Sequence, residues 1–249
     1  MLVNVEGIVL SETSYSESSK ILNVITKEYG VIGVLSKGCK SLKSPLRSVS
    51  SKLTYGYFNI QYKKDKLSTL ISVDVIDNFK NIKKDLSLKS ISYSCFILEL
   101  TDQVMKHNYN DDIFDIMISA IIKINEGFDP LVITNILELK YLHYLGVMPI
   151  LDQCAVCGSK TSIATLSSSK GGLVCNKCRN NERMVDVKTI KLIRMFYYVD
   201  IDKISKLEIS NLCKNEINEF LDDYYEQYTG LYLKTKKFLK DLSKIKFDK

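Results

Sequence analysis

Cys154-Ala155-Val156-Cys157 and Cys175-Asn176-Lys177-Cys178 are two C-x-x-C pairs separated by 17 residues. That separation lies in the window of a four-cysteine metal site. A C-x-x-C turn brings two thiolates to one edge of a tetrahedron, about 2.3 Å from a zinc ion, and a second turn closes the opposite edge. Gly158 follows the first pair, where backbone N–H must approach sulfur, and Gly171-Gly172 allows a hairpin before the second. The alternative is two pairs of buried or redox-active thiols, but no thioredoxin-like βαβ pattern surrounds either pair. Catalytic zinc keeps an open position for water and takes His or carboxylate ligands. Here four cysteines fill the shell, and the only histidines, His107 and His143, fall in helical segments upstream. The expectation is one structural Zn²⁺ per chain, held by Cys154, Cys157, Cys175 and Cys178.

A second constellation is electrostatic. No acid occurs between Glu28 and Asp65, a span that carries Lys37, Lys40, Lys43, Arg47, Lys52, Lys63 and Lys64. Tyr55, Tyr57, Phe58 and Tyr62 are interleaved with these cations, Tyr57 being the aromatic expected to face a ligand. Cations neutralise phosphates, and aromatic faces stack on unpaired bases. The segment Ser36–Ser48 holds four of the cations among Gly, Ser and Pro and reads as a flexible clamp for anions. The competing reading sends the tyrosines into a core and leaves the lysines to solubilise a loop. Of 35 basic residues 31 are lysines, which favours point-charge contacts over bidentate base reading.

Other clusters read as solvated faces: Asp111-Asp112, Asp222-Asp223, and the seven lysines between Lys234 and Lys249. The chain contains no P-loop, no G-x-G-x-x-G after a strand, no H-E-x-x-H and no G-x-S-x-G. An enzyme is not expected.

These groups need a scaffold, and the hydrophobic pattern supplies an α+β one. Residues 1–80 alternate as short strands at Leu2–Leu10, Ile21–Thr26, Val31–Ser36, Leu53–Tyr62 and Leu67–Ile76. Five strands in so short a span suit a small closed barrel of the oligonucleotide-binding (OB) type, with an SH3-like barrel or open sheet as alternatives. From residue 81 to 249 the period becomes helical, interrupted by the zinc module at 151–180. Asp129-Pro130 marks a helix start and Gly146 its end, and Thr235 is placed to cap a last helix carrying Phe238, Leu239, Leu242 and Ile245. The net charge of +6 is uneven: residues 1–80 hold 11 basic and 7 acidic side chains, residues 81–150 hold 6 and 9. No stretch suits a membrane span, and the first residues lack the basic region of a secretory signal. Seven cysteines, four of them assigned to metal, fit a reducing cytoplasm.

The order of these elements resembles the bacterial recombination mediator family RecO along essentially the whole chain. The matching pieces begin with Val5-Glu6-Gly7-Ile8-Val9-Leu10, Tyr15-Ser16-Glu17-Ser18-Ser19-Lys20-Ile21, Thr26-Lys27-Glu28-Tyr29-Gly30 and Ser36-Lys37-Gly38-Cys39-Lys40. They continue with Leu145-Gly146-Val147-Met148-Pro149, Cys154-Ala155-Val156-Cys157-Gly158, Gly171-Gly172-Leu173-Val174-Cys175 and Lys234-Thr235-Lys236-Lys237-Phe238-Leu239. In the last piece threonine stands where the family has serine. The resemblance implies an OB barrel followed by a helical domain with an inserted zinc module. It also implies a non-enzymatic role in DNA repair: binding single- and double-stranded DNA, annealing complementary strands, and assisting RecA loading with RecR. Implied partners further include the C-terminal tail of single-strand binding protein, and the implied location is the bacterial cytoplasm, at the nucleoid. The other reading is a protein-interaction scaffold whose DNA contact is incidental.

Overall fold

The computed structural model describes residues 1–244, with side chains up to Leu239. Ile245 lies outside the described residues, as does the side chain of Leu242. The chain divides into two compact units, one of Met1–Ile91 with Leu98–Asp115, the other of Ser92–Ile97 with Ile116–Lys249.

In the first unit the alternating segments form β1 (Leu2–Ser14), β2 (Lys20–Thr26), β3 (Gly30–Ser36), β4 (Tyr55–Gln61) and β5 (Ser68–Asp77). Each strand pairs with two others, and the ring closes in the order β1-β2-β3-β5-β4. Three devices close it. β1 runs four residues beyond the sequence expectation, past a bulge between Val9 and Ser11, and so pairs with both β4 and β2. β3 and β5 meet in parallel at Val34↔Ser68 and Leu35↔Thr69. Gly56 lets β4 approach β5, since a Cβ there would sit 2.4 Å from the Asp74 carbonyl oxygen. Inward residues Val5, Val9, Leu22, Val24, Val34, Phe58, Ile60 and Leu70 form the core. α1 (Lys80–Lys84) and α2 (Lys89–His107) follow the barrel strands.

The second unit takes its order from α4 (Pro130–Tyr144), which is buried almost all round. The Asp129 carboxylate accepts from the N–H groups of Leu131 and Val132, and Pro130 occupies the first turn, as the sequence indicates. Gly146 ends the helix at φ +72°. α3 (Asp111–Asn125) precedes it; α5 (Val187–Tyr198), α6 (Asn211–Tyr228) and α7 (Lys234–Lys244) follow. The side chains of Asp186 and Ser210 cap α5 and α6. Thr235 is not a cap: α7 starts at Lys234, so Thr235 falls inside its first turn.

Between α4 and α5 lies the cysteine module, whose hairpin is β6 (Ile163–Ser167) and β7 (Gly172–Cys175). It is tied to the helices by Arg194 Nε donating to Leu151 O at 2.7 Å and Tyr228 OH donating to Ser168 O at 2.9 Å. Gly172 makes the hairpin possible. Its φ is +149°, and a Cβ would lie 2.2 Å from the Ile150 carbonyl oxygen, where Ile150 bridges the hairpin. Gly172→Ala is therefore expected to cost more than about 1 kcal/mol, read as a lower thermal midpoint of the full chain. An unchanged midpoint would mean that Ile150 can withdraw from β7 without penalty.

Candidate metal centre and nucleic-acid interface

The four cysteines converge. Their sulfurs all lie within 4.8 Å of one another, although the pairs come from separate turns. The first turn is closed by Gly158 N–H donating to Cys154 O at 2.9 Å, with Gly158 at φ +73°. The second is closed by Cys178 N–H donating to Cys175 O at 3.0 Å. Ala155 N–H donates to Leu173 O at 2.7 Å and stitches the first turn to β7.

The donor set fits zinc. Cys157 and Cys175 sulfurs are 3.7 Å apart, far beyond the roughly 2.05 Å of a disulfide. For zinc–sulfur bonds of about 2.3 Å, a tetrahedron has a sulfur–sulfur edge of about 3.8 Å. Desolvation works against a Cys154 thiolate, but backbone N–H groups of Cys175, Cys157 and Val156 outweigh it and bring the thiol down to about 6. Cys178 goes the other way, up to about 12, because its proton bridges to the Cys157 and Cys175 sulfurs. Sulfurs this crowded cannot all ionise unless a cation joins them.

The seven cations singled out by the sequence fall into two groups along β3. One lies in the β3–β4 loop, residues 37–54, which begins at the last residue of β3. The other lies in the β4–β5 turn, residues 62–67, beside the first half of β3. That placement follows from Tyr62 stacking on Tyr29 at 4.7 Å and from Leu67 lying against Gly33. Between three and seven residues of strand, about 10–20 Å, separate the groups. Between them, the outward positions of β2 and β3 are Ile21, Asn23, Gly33 and Leu35, paired across the ladder and carrying no carboxylate.

The loop is not the flexible clamp expected from its composition. Cys39, Ser50 and Leu53 are buried, and Leu46 packs on the barrel core. Ser36 and Ser50 hydroxyls meet at 2.7 Å, and Leu53 N–H donates to Val9 O at 3.0 Å. The loop also grips the β1–β2 hairpin tip: Lys40 N–H donates to Ser18 O, Gly38 N–H to Ser19 Oγ, and Lys40 Nζ to Ser16 O at 2.6 Å. Lys37, Lys43 and Arg47 remain exposed on it. Among the described residues, no ion pair involves Lys37, Lys40, Lys43, Arg47, Lys52, Lys63 or Lys64. Lys66 joins Lys63 and Lys64 on the turn and was missed because Asp65 interrupts the run.

The aromatic residues divide differently. Phe58 is in the core; Tyr55 is buried, with its hydroxyl donating to Glu6 at 2.5 Å; Tyr62 is taken up by Tyr29. Tyr57 is exposed on β4, but its partners in register are Glu6 on β1 and Asp74 on β5. The structure thus places Tyr57 among acids and apart from the cation groups. No helix of the described residues is long and apolar enough to cross a membrane.

The family described as Recombination protein O N terminal matches residues 1–79, and that described as Recombination protein O C terminal matches residues 86–237. A DNA repair protein RecO from Listeria monocytogenes serotype 4b (strain CLIP80459) is 35% identical over 243 residues, covering 96% of this chain and 94% of its own. DNA repair protein RecO from Bacillus pumilus (strain SAFR-032) is 34% identical over 250 residues, covering 99% and 96%. That from Bacillus velezensis (strain DSM 23117 / BGSC 10A6 / LMG 26770 / FZB42) is 36% identical over 250 residues, covering 99% and 97%. A barrel-forming N-terminal part, a helical C-terminal part that encloses four cysteines, and matches running through both make this chain a member of the RecO family.

Proposed function

We propose that the chain acts in DNA repair and recombination as a non-enzymatic mediator. Its ring of five strands is read as an OB barrel, a reading supported by the strand order and by the parallel β3–β5 contact. The observation that carries the proposal is the acid-free face of β2 and β3, bracketed by cations that make no ion pair among the described residues: Lys37, Lys40, Lys43, Arg47 and Lys52 on one side, Lys63 and Lys64 on the other. A nucleic-acid strand crossing that face meets phosphate contacts at both ends, over a length suited to several nucleotides. Tyr57 is a secondary contact at most, because Glu6 and Asp74 repel phosphate beside it. In keeping with the family, the chain binds single- and double-stranded DNA, anneals complementary strands, and assists RecA loading with RecR on strands coated by single-strand binding protein. It would contact that protein's C-terminal tail and work at the nucleoid in the bacterial cytoplasm. The four cysteines hold one structural Zn²⁺.

The test is a salt titration of binding to single-stranded DNA. Log affinity should fall with log salt at about −0.7 per phosphate contact. Replacing Lys37, Lys43 and Arg47 together by Ala should weaken binding to all sequences and flatten the slope by about two units, for three contacts. If the slope does not change, the loop is not the contact surface, and the scaffold reading, with DNA incidental, takes its place.

A further inference from the structure

We propose that Tyr15, at the tip of the β1–β2 hairpin, is a base-stacking residue that gives the cation surface its preference for unpaired strands. This rests on the reading of that surface as a DNA interface and adds to it a means of sensing bases.

Tyr15 is 61% exposed, the highest of the exposed aromatic residues in the first unit. The others are committed elsewhere. Tyr29 is stacked on Tyr62, the Tyr109 hydroxyl donates to Lys27 O, and Tyr57 stands between Glu6 and Asp74. Among the described residues the Tyr15 side chain has neither a ring neighbour nor a hydrogen-bond partner. Yet its backbone is fixed, since its N–H donates to Ser19 O at 3.1 Å.

The residues that follow it fix its neighbourhood too. Ser16, Ser18 and Ser19 are those that Lys40 and Gly38 hold, so hairpin tip and cation loop form one surface. Lys20, at the start of β2, pairs with Glu12 at 2.7 Å and donates to Ser50 O, adding a further tie to the same loop. The pairing also neutralises Glu12, one of the three acids of β1 and its turn; Glu17 is exposed at the tip, and Glu6 lies on β1 beside β4. A ring that is exposed on a pinned backbone, on a hairpin tip held by the cation loop, loses little freedom when a base stacks on it. Neither phosphate neutralisation nor duplex DNA, whose bases are already stacked, would make use of such a ring.

The experiment is a set of anisotropy titrations of the full chain with a labelled oligothymidylate and an abasic strand of equal length, over a range of salt. Tyr15→Ala should weaken binding to the base-bearing strand about tenfold and leave the abasic strand and the salt slope unchanged. Tyr15→Trp should keep the affinity. Because the natural chain has no tryptophan, its fluorescence should be quenched by the base-bearing strand alone. Equal affinities of Tyr15→Ala and the natural chain for oligothymidylate, or no selective quenching in Tyr15→Trp, would overturn the stacking role while a salt slope common to both strands keeps the cation surface. Failure of the natural chain to bind either strand in a salt-dependent way would instead overturn the DNA interface beneath it.

Discussion

Replacing Cys175 with serine is expected to melt the module of residues 151–180 in the full chain. The reason is the size of what remains. The hydrophobic cluster inside the module consists of Cys154, Val174 and Cys175, with Ile163 and Cys178 partly buried against it. Two of its three fully buried members are proposed ligands. Fixing the backbone of each residue costs about 1–2 kcal/mol, and this cluster, even with Leu151, Ala164 and Leu173 buried elsewhere in the module, is small against that cost. Structural zinc contributes on the order of 10–16 kcal/mol in isolated finger peptides, enough to reverse that balance. Serine removes one ligand and one of the three buried members of the cluster. Hydrogen exchange at Leu173, Val174 and Cys175, together with metal analysis, checks the outcome. The expected result is one zinc per natural chain, none held stably by Cys175→Ser, and exchange at these amides faster by several orders of magnitude. Protected amides in a zinc-free natural chain would show that the module needs no metal. Binding should also weaken on acidification, because thiols must release their protons to ligate metal.

How far the sequence announced this depends on the range of the interactions involved. The cysteine spacing and the strand alternation are local patterns, and the five strands appear where alternation puts them, within two residues at most ends except the far end of β1. That extension follows from a bulge, which interrupts the period used to find strands. The neighbours of Tyr57 were hidden because register with Glu6 and Asp74 links strands about 50 and 17 positions away. The fold of the β3–β4 loop was hidden for a different reason. It is held by single burials such as Cys39 and Leu53 and by Ser–Ser and backbone hydrogen bonds, none of which has a period. In each of two clusters read as solvated faces one residue departs from that reading, while Asp223, Lys234 and Lys237 are exposed as expected. Lys236 on α7 and Asp222 on α6 are mostly buried and pair at 2.8 Å, a contact between helices that no local pattern can name.

Lys236→Met is expected to destabilise the second unit by about 3–5 kcal/mol, the usual cost of leaving a buried charge without its partner. Lys236 lies between α4 and α6, 2.8 Å from the Asp222 carboxylate and 3.5 Å from that of Glu138. Its ammonium also lies over the rings of Tyr225 and Phe96, at 5.2 and 5.9 Å from their centroids. Glu138 is 2% exposed, and burial pushes its carboxyl up to about 7, against the pull of Lys236 and with a further push from Asp222. A folded pKa raised above the ordinary carboxylate value of about 4.5 means that the native state binds this proton more tightly than the unfolded one. The stability it contributes is therefore complete below about 4.5 and is lost as pH rises through about 7, a loss of about 3 kcal/mol. Glu138→Gln should flatten the stability curve in that window. The double variant Lys236→Met with Glu138→Gln should recover much of what Lys236→Met loses, because the carboxylate left stranded is gone. Urea unfolding of the four proteins at pH 5 and pH 8 separates these terms. Additive losses, or a curve that keeps its slope in Glu138→Gln, would mean that α7 is held by its apolar face alone and that the buried cation merely fills space.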